Sequence, residues 1–571
     1  MNLEELSPLS LIDCELPIFS GGKTVWSAPN FRGPLPLAFT PVDAGGSGRL
    51  QRAGTLVAQL EMYGGSGIGS NAGGVRCGNY AGVQIKGIGP SLLGGPGLDK
   101  WHRHGALSLQ DAVRDTLIGE LFSVAAPNGA VRALAIADLG FTFATEFGKE
   151  KTPSTAPRAL LYREQSLRVA HFMRSSFMNV GHELAQRELA RMRDGIPRLV
   201  NWLCAAEDRI DFEAAARGVQ KMFDSLMNQL AVLRTKRLVH GSLIPSNLCI
   251  DGRFVDFTTT TAVSTLQPVL VSVGGWSSQH QHHQVLLAVP DLLFYIAKFD
   301  HRCAVPRARL QAACEEVAAE LAAAHHRYLM REHLGLVGFP LERAFQLDAQ
   351  NIEALLSALV AVIESGSVQG HMYFGGDDHE MLPQAGADDI LAVIAQAICE
   401  TTGLSLARGL TYRPDPGAFP PGVRDGFIRA FAQAAQCMHA DGLSLVEQGM
   451  AWLIRATQRN ADLKPLYRRW LDGVINDVCR NRAAEVSDFI EEMLGQWTGV
   501  FHTPPDGRVT LKGWLTESAV SLTPEGRLEA EGAQFSPLAL AAFKPAMDIR
   551  PRHQWLFGVS TLNQSREFGH A

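Results

Sequence analysis

Paired cysteines, long apolar runs and an excess of positive charge are all missing from this sequence. The nine cysteines are scattered and no two form a C-x-x-C pair, so neither a zinc knuckle nor a thioredoxin-type dithiol is written here. The richest apolar stretches, such as 355–363, fall well short of the roughly 18 residues that span a bilayer. No membrane partner is expected. Lys and Arg number 52 against 58 Asp and Glu, a formal net charge of −6. Nothing global therefore draws a phosphate backbone, and no nucleic-acid partner is expected. G-x-S-x-G and H-E-x-x-H are also absent, which leaves hydrolase and zinc-protease readings without support. The start, Met1-Asn2-Leu3-Glu4-Glu5, has no basic segment followed by an apolar core, so the expectation is a cytoplasmic protein.

What is present is ample core material. The chain has 571 residues, 46% hydrophobic and 19% charged. At about 150 residues per domain it has room for two to four domains. Glycine crowds residues 44–98, including Tyr63-Gly64-Gly65-Ser66-Gly67-Ile68-Gly69 and Gly73-Gly74-Val75-Arg76-Cys77-Gly78. Val83-Gln84-Ile85-Lys86 alternates and predicts a half-buried strand. Residues 142–158 predict an exposed loop. Beyond about 178 helices dominate: Phe212, Ala216, Val219, Phe223, Leu226, Leu230 and Leu233 form one apolar stripe. Residues 501–571 read as short strands and loops. The fold class expected is α+β, with a glycine-rich strand region followed by helices and a site in the groove between them.

The segment from His240 to Phe257 carries the most chemistry. It predicts a polar loop, a hairpin around Asp251-Gly252, and Asn247 and Asp256 facing each other across it. An amide oxygen and a carboxylate so placed can hold Mg²⁺, although Asn and Asp also favour plain turns. Lys86 follows the glycine-rich stretch and precedes a helix predicted from about Ser108 to Ala125. That order of glycine loop, strand lysine and helix acid is what a nucleotide-phosphate clamp requires. Two helix acids could pair with Lys86. At 100° per residue Glu120 shares the apolar face with Leu109, Val113, Leu117 and Val124, and Asp115 lies roughly opposite. A carboxylate on a packed face needs a partner, so the wheel favours Glu120.

Taken together, these motifs resemble the selenoprotein O family, pseudokinases that transfer AMP from ATP to protein hydroxyl groups. Gln84-Ile85-Lys86-Gly87-Ile88-Gly89 is similar to that family's "LKGAG", Val113-Arg114-Asp115 to "IRE", and Gly119-Glu120-Leu121-Phe122 to "SEAM". Arg132-Ala133-Leu134 resembles "TRAL". Leu167-Arg168-Val169-Ala170 followed by Arg174 resembles "RVAPSxxRFG" with one residue fewer between the arginines. His240-Gly241 through Asn247 and Asp256 resembles "HGVMNTDNMSxxGxTxDYGPF", and Tyr328 to Leu336 is similar to "MRxKLGL". The likeness covers about residues 60–340, in the family's order.

The resemblance implies a protein-kinase-like two-lobed fold. Its expected parts are an N-terminal extension at 1–45, an N-lobe at 46–175, a C-lobe at 176–340 and a mostly helical extension at 341–571. It implies ATP with Mg²⁺ or Mn²⁺ as cofactors and a protein or peptide as acceptor. Lys86 would contact phosphates and pair with a helix acid: Asp115 by alignment, Glu120 by the wheel. Arg168 and Arg174 would grip phosphates, where guanidinium groups make forked bonds, and Gly67, Gly69 and Arg76 would line the nucleotide. Asn247 and Asp256 would hold the metal. Two departures matter: Ser246 stands where the family has its suggested base, and Thr258-Thr259-Thr260 replaces "GPF". A serine is no carboxylate base at neutral pH. Two alternatives therefore stay open, a catalytically silent ATP-binding scaffold and an ATP-dependent peptide-maturation enzyme.

Two further clusters hold ligand-type residues. Gln279-His280-Gln281-His282-His283-Gln284 is read as a polar, solvated loop ahead of a metal site, and His371 to Glu380 as a polar turn. His325, His326 and His333 are read as helix surface or core. Arg187, Arg191, Arg193 and Arg198 are read as a solvated helix face.

Overall fold

The alternation in Leu11–Ser20 and Gln51–Glu61 sets the first pairing of the chain. These strands, β1 and β3, run antiparallel with Leu16 opposite Leu56. β2 (Lys23–Ser27), β4 (Cys77–Tyr80), β5 (Val83–Lys86), β6 (Leu107–Ser108), β7 (Ala133–Ala144) and β8 (Thr155–Glu164) complete an antiparallel sheet in the order β1-β3-β4-β5-β8-β7-β2, with β6 beside β8. Residues 11–27, which the expected boundary at 45 places outside the sheet region, thus supply both of its edges. The computed structural model describes residues 1–41, 50–67, 73–94, 103–144, 155–175, 182–263, 266, 277–341, 348–365, 387–404, 419–438, 442–461, 463–481, 483–501, 508–511, 520–530 and 533–536. Gly69, the cluster at 371–380 and the middle of the expected loop at 142–158 lie outside these residues; the ends of that loop are strand.

Each face of the sheet has its own core. Leu16, Phe39, Leu56, Leu60, Ile85, Leu160 and Tyr162 pack on one side. Helix α1 (Leu109–Ala125), capped by Ser108 Oγ on the Asp111 N–H at 3.0 Å, packs on the other with Ala159 and Leu161. β5 is therefore buried on both faces, not half-buried. Its alternation is real, but Gln84 and Lys86 point into a polar interior where solvent was expected.

Helices dominate the C-terminal part. α2 (His182–Leu203), α3 (Phe212–Thr235), α4 (Gln281–Leu286), α5 (Ala288–Phe299) and α6 (Arg307–Leu336) come first. α7 (Ala349–Ser365), α8 (Ala387–Thr402), α9 (Pro421–Cys437), α10 (Leu445–Arg459), α11 (Arg468–Asn481) and α12 (Val486–Phe501) follow. The predicted stripe on α3 is buried throughout, much of it against α6. A two-residue pairing of β9 (Leu238–Val239) with β10 (Thr261–Ala262) closes the loop 240–260 at its base. Four short strands, β11 (Val509–Thr510), β12 (Val520–Leu522), β13 (Leu528–Ala530) and β14 (Ala533–Phe535), form a separate antiparallel sheet. The molecule is thus a mixed α+β fold, with an N-terminal antiparallel sheet and a helical C-terminal part. Among the described residues no helix is long and apolar enough to cross a membrane.

α11 and α12 also pack on α1, and α12 reaches β2. As a result α1 is buried almost all the way round, with Arg114, Asp115 and Glu120 all inside.

The arginine run on α2 is solvated only in part: Arg193 and Arg198 are exposed as expected, whereas Arg191 and Arg187 are engaged. Arg191 is 1% exposed; it pairs with Glu188 at 2.7 Å and donates to the carbonyls of His171 and Met173. Arg187 donates to Leu9 O at 3.0 Å and to Leu11 O. These guanidinium groups tie α2 to the N-terminal residues and to the segment that carries Arg168.

Candidate functional site

Lys86 ends β5 with its side chain 1% exposed. An ammonium so buried requires carboxylates, and it has two. Its Nζ donates to Asp115 Oδ2 at 2.8 Å and to Asp256 Oδ1 at 3.1 Å. Glu120 is not its partner. Glu120 accepts from Arg132 Nε at 2.6 Å and from the same guanidinium's NH2. The wheel took burial as the guide to the paired acid, but a helix covered on all sides buries both acids, so burial cannot choose between them. Asp115 is fixed further by the Phe257 N–H, donating to Oδ1 at 2.8 Å.

Asp256 emerges from the predicted hairpin. Leu248 bridges Phe254, Val255 N donates to Asn247 O at 3.2 Å, and Gly252 turns the chain at φ +85°. Asp256 itself adopts φ +67°, a conformation uncommon outside glycine and typical of held functional residues. Burial would push its carboxyl up, but Lys86 above all, then Arg76 and Arg163, hold it well below the usual carboxylate range. Arg76 NH2 lies 3.8 Å from Asp256 Oδ2. The threonines that follow are used locally. Thr258 Oγ1 donates to Asp256 Oδ1 at 3.2 Å, and Thr259 Oγ1 to His240 O at 2.8 Å.

Asn247 donates through Nδ2 to Ser242 O at 2.9 Å, which leaves its Oδ1 as the acceptor. Asn247 Oδ1 and the Asp256 carboxylate, on the two arms of that hairpin, are oxygen donors of the kind a hard cation takes. The residues therefore fit Mg²⁺ or Mn²⁺. Ser246 contributes its carbonyl, which accepts from Arg168 NH1 at 3.0 Å.

Arg168 is buried over the Tyr63 ring, its guanidinium 5.4 Å from the centroid. A hydrogen-bonded layer sits under it. Glu61 accepts from Asn79 Nδ2 at 2.7 Å and Gln84 Nε2 at 2.6 Å, and its other oxygen meets His171 Nε2 at 3.1 Å. Burial opposes ionisation there, but these partners, His171 first, hold the Glu61 carboxyl down at about 2. Gln84 Oε1 in turn accepts from Arg163 Nε at 2.6 Å and Arg168 NH2 at 3.4 Å. Arg163 was missed by sequence reading. It lies 3.7 Å from Asp115 Oδ2. Period two along β8 puts it on the face of Ala159 and Leu161, the face toward α1, and that pattern could have found it.

The glycine-rich segment is stitched down beside these groups. Gly64 N donates to Ala170 O at 2.9 Å and Gly65 N to Arg174 O at 3.3 Å. Arg174 is exposed; the structure brings its main chain, not its guanidinium, to the loop. Gly67 has φ +67°, and a Cβ there would lie 2.8 Å from Ile244 Cδ1. A Cβ at Gly64 would lie 2.2–2.5 Å from the main chain of residues 173–175. Gly64→Ala is expected to lower stability by about 1–3 kcal/mol, since backbone on two segments must shift. Urea unfolding measures it; an unchanged midpoint would mean the loop is not seated on 173–175.

Residues 279–284 do not form the solvated loop expected of them. Gln281 is buried, and its Oε1 accepts from His240 N at 3.0 Å and Gly241 N at 3.3 Å; Gln284 Oε1 accepts from Leu243 N at 3.0 Å. The pair clamps the loop that carries Asn247. His282 stacks on His325 with ring centroids 4.0 Å apart. Among the described residues no three His, Cys, Asp or Glu side chains are grouped so as to hold a metal ion. His240 is enclosed by Phe122, Phe254 and Phe257. Burial lowers it to about 4 despite nearby Asp256, so it is a neutral spacer that donates from Nε2 to Val255 O.

Three cations, Lys86, Arg76 and Arg163, thus lie against Asp115 and Asp256, and Arg168 joins them through Gln84, next to Glu61. Guanidinium and ammonium groups gathered in this way are the donors that a phosphate chain takes. No family model matches the chain, and no curated protein matches it either.

Proposed function

We propose that this protein is a nucleotidyltransferase that moves AMP from ATP to a hydroxyl of a protein or peptide and releases pyrophosphate. The observation that carries the reading is Lys86 held between Asp115 and Asp256, with Arg76 and Arg163 beside them and Arg168 linked to Arg163 through Gln84. Lys86, Asp115, Arg168, Asn247 and Asp256 stand in the order of the selenoprotein O motifs, and an antiparallel sheet followed by helices is consistent with the two lobes that resemblance implies. Lys86 and the arginines orient the phosphates and offset their charge, the main requirement of loose phosphoryl-type transfers. Asn247 and Asp256 would hold Mg²⁺ or Mn²⁺, which when bound supplies Lewis-acid polarisation of phosphate oxygens. Ser246 takes no proton at neutral pH; its carbonyl instead holds Arg168. The acceptor proton passes to solvent or phosphate, and the reaction is slow for want of a carboxylate base.

Ser246 also favours a second reading, a nucleotide-binding scaffold without turnover. Incubation with Mn²⁺ and ATP labelled at the α- or the γ-phosphate separates the two. Covalent label from α alone, lost in Asp256→Ala, is the expected result. Label from γ would make the protein a phosphotransferase and sink the proposal. ATP binding with no label from either position would leave the scaffold.

A further inference from the structure

Arg114 and Asp115 are neighbours on α1, about 100° apart around the helix, and meet different partners. Asp115 meets Lys86 and the Phe257 N–H. Arg114, 3% exposed, donates one nitrogen to Asp472 on α11 and another to Thr260 O, four residues past Asp256. Arg468, at the start of α11, pairs with the same Asp472 at 3.5 Å, and its N–H donates to Thr261 Oγ1 at 3.0 Å. At the far end of α1, Lys236 Nζ donates to Ala125 O at 2.7 Å and to Phe501 O at 2.8 Å. Those are the last residues of α1 and α12, where carbonyls lack helical partners and a cation is favoured. The C-terminal extension therefore touches α1 at mid-length and at its end, and it also touches the strand that follows Asp256.

We infer that the C-terminal extension is a positioning element for the Lys86 site: Asp472 through Arg114, and Phe501 through Lys236, hold α1 where Asp115 reaches Lys86. Simple packing would need no buried cation at either point, and burying one without a carboxylate or carbonyl is costly. Without Asp472, Arg114 would lose its carboxylate partner and keep Thr260 O, with Arg468, a like charge, close by. Arg114 is then driven toward solvent and draws α1, with Asp115, away from Lys86. Arg114 is a positioning residue; it acts on the nucleotide only through Asp115 and the 257–261 segment. That last step rests on the nucleotidyltransferase reading, whereas the hold on α1 does not.

The test uses the full chain with Asp472→Asn, Asp472→Glu and, as a second route, Lys236→Met. Asp472 is partly exposed, so its substitution leaves the core intact. Hydrogen exchange is followed over residues 112–125 and, as a reference, over β7 and β8. Binding of a fluorescent ATP analogue is measured alongside. Asp472→Asn is expected to speed exchange on α1 on the order of tenfold and to weaken analogue binding by a similar factor, with β7 and β8 unchanged. Asp472→Glu should restore both, and Lys236→Met should speed exchange mainly at residues 121–125. Unchanged exchange on α1 in both Asp472→Asn and Lys236→Met would overturn the inference. So would equal acceleration of β7 and β8, which is global loosening, or faster exchange on α1 with analogue binding unchanged. If no variant, nor the natural chain, binds the analogue while α1 still loosens selectively, the hold on α1 stands and the nucleotide reading is the part that fails.

Discussion

Lys86→Met is expected to abolish most of the proposed AMP transfer, by about 10²–10³-fold, the range for losing one preorganised charge-stabilising donor. It is also expected to destabilise the fold by about 3–5 kcal/mol, as breaking one member of a buried ion pair does. The structural reason is the position of Asp115. Once the ammonium is gone, its Oδ2 keeps only Arg163, 3.7 Å away, and its side chain remains 4% exposed. Asp256 is better placed to tolerate the loss, being 22% exposed and still close to Arg76. The same geometry ranks the two helix acids. Asp115→Asn should approach the Lys86→Met loss, while Glu120→Gln should stay within a few-fold of the natural chain, because Glu120 spends its carboxylate on a half-exposed Arg132. Parallel assays of the three variants, each with a thermal melt, decide it. If Glu120→Gln costs as much as Asp115→Asn, the pairing described for Lys86 is wrong.

That ranking also marks where sequence reasoning stops. Lys86, Asn247 and Asp256 could be read because each sits in a short local pattern: an alternating strand, a turn and a hairpin. The stripe on α3 was legible for the same reason, since one helix face meets one neighbour. Choosing between Asp115 and Glu120 required knowing what covers the far side of α1. The answer comes from Asp472, 358 residues away from Arg114, and no local period carries it. Gln281 and Arg191 failed similarly. A glutamine among histidines and an arginine on a charged helix look solvated until the loop and carbonyls they hold are in place. Arg163 differs: its strand period placed it on the buried face, and an arginine among Leu161 and Tyr162 is unusual enough to follow up.

Acidification should destabilise this protein before most carboxylates titrate. His240 and His325 are held at about 4, and His282 and His333 at about 3, in each case first by burial, with neighbouring histidines adding to it for the last three and Arg234 for His325 and His333. An unfolded histidine titrates near 6.5. Below pH 6.5 the unfolded chain therefore binds protons that the folded chain refuses, and stability falls as pH drops toward 4. Each such histidine contributes up to about 1.4 kcal/mol per pH unit. Glu61 continues the trend: its folded value near 2 gives stability that is fully present above about pH 4.5 and is lost on the way down to 2. The consequence for function is direct, because His240 lies under Asp256 and His282 sits on the helix whose glutamines clamp the 240–243 loop. Urea unfolding at constant ionic strength between pH 7 and 5 should show a slope of at least about 2.7 kcal/mol per pH unit, equal to two histidines. His333→Leu should flatten it by about one histidine, since His333 Nδ1 is buried with no hydrogen-bond partner to lose. A flat profile across that range would show that these rings are charged in the folded protein, and His240 could then no longer serve as a neutral spacer beneath the site.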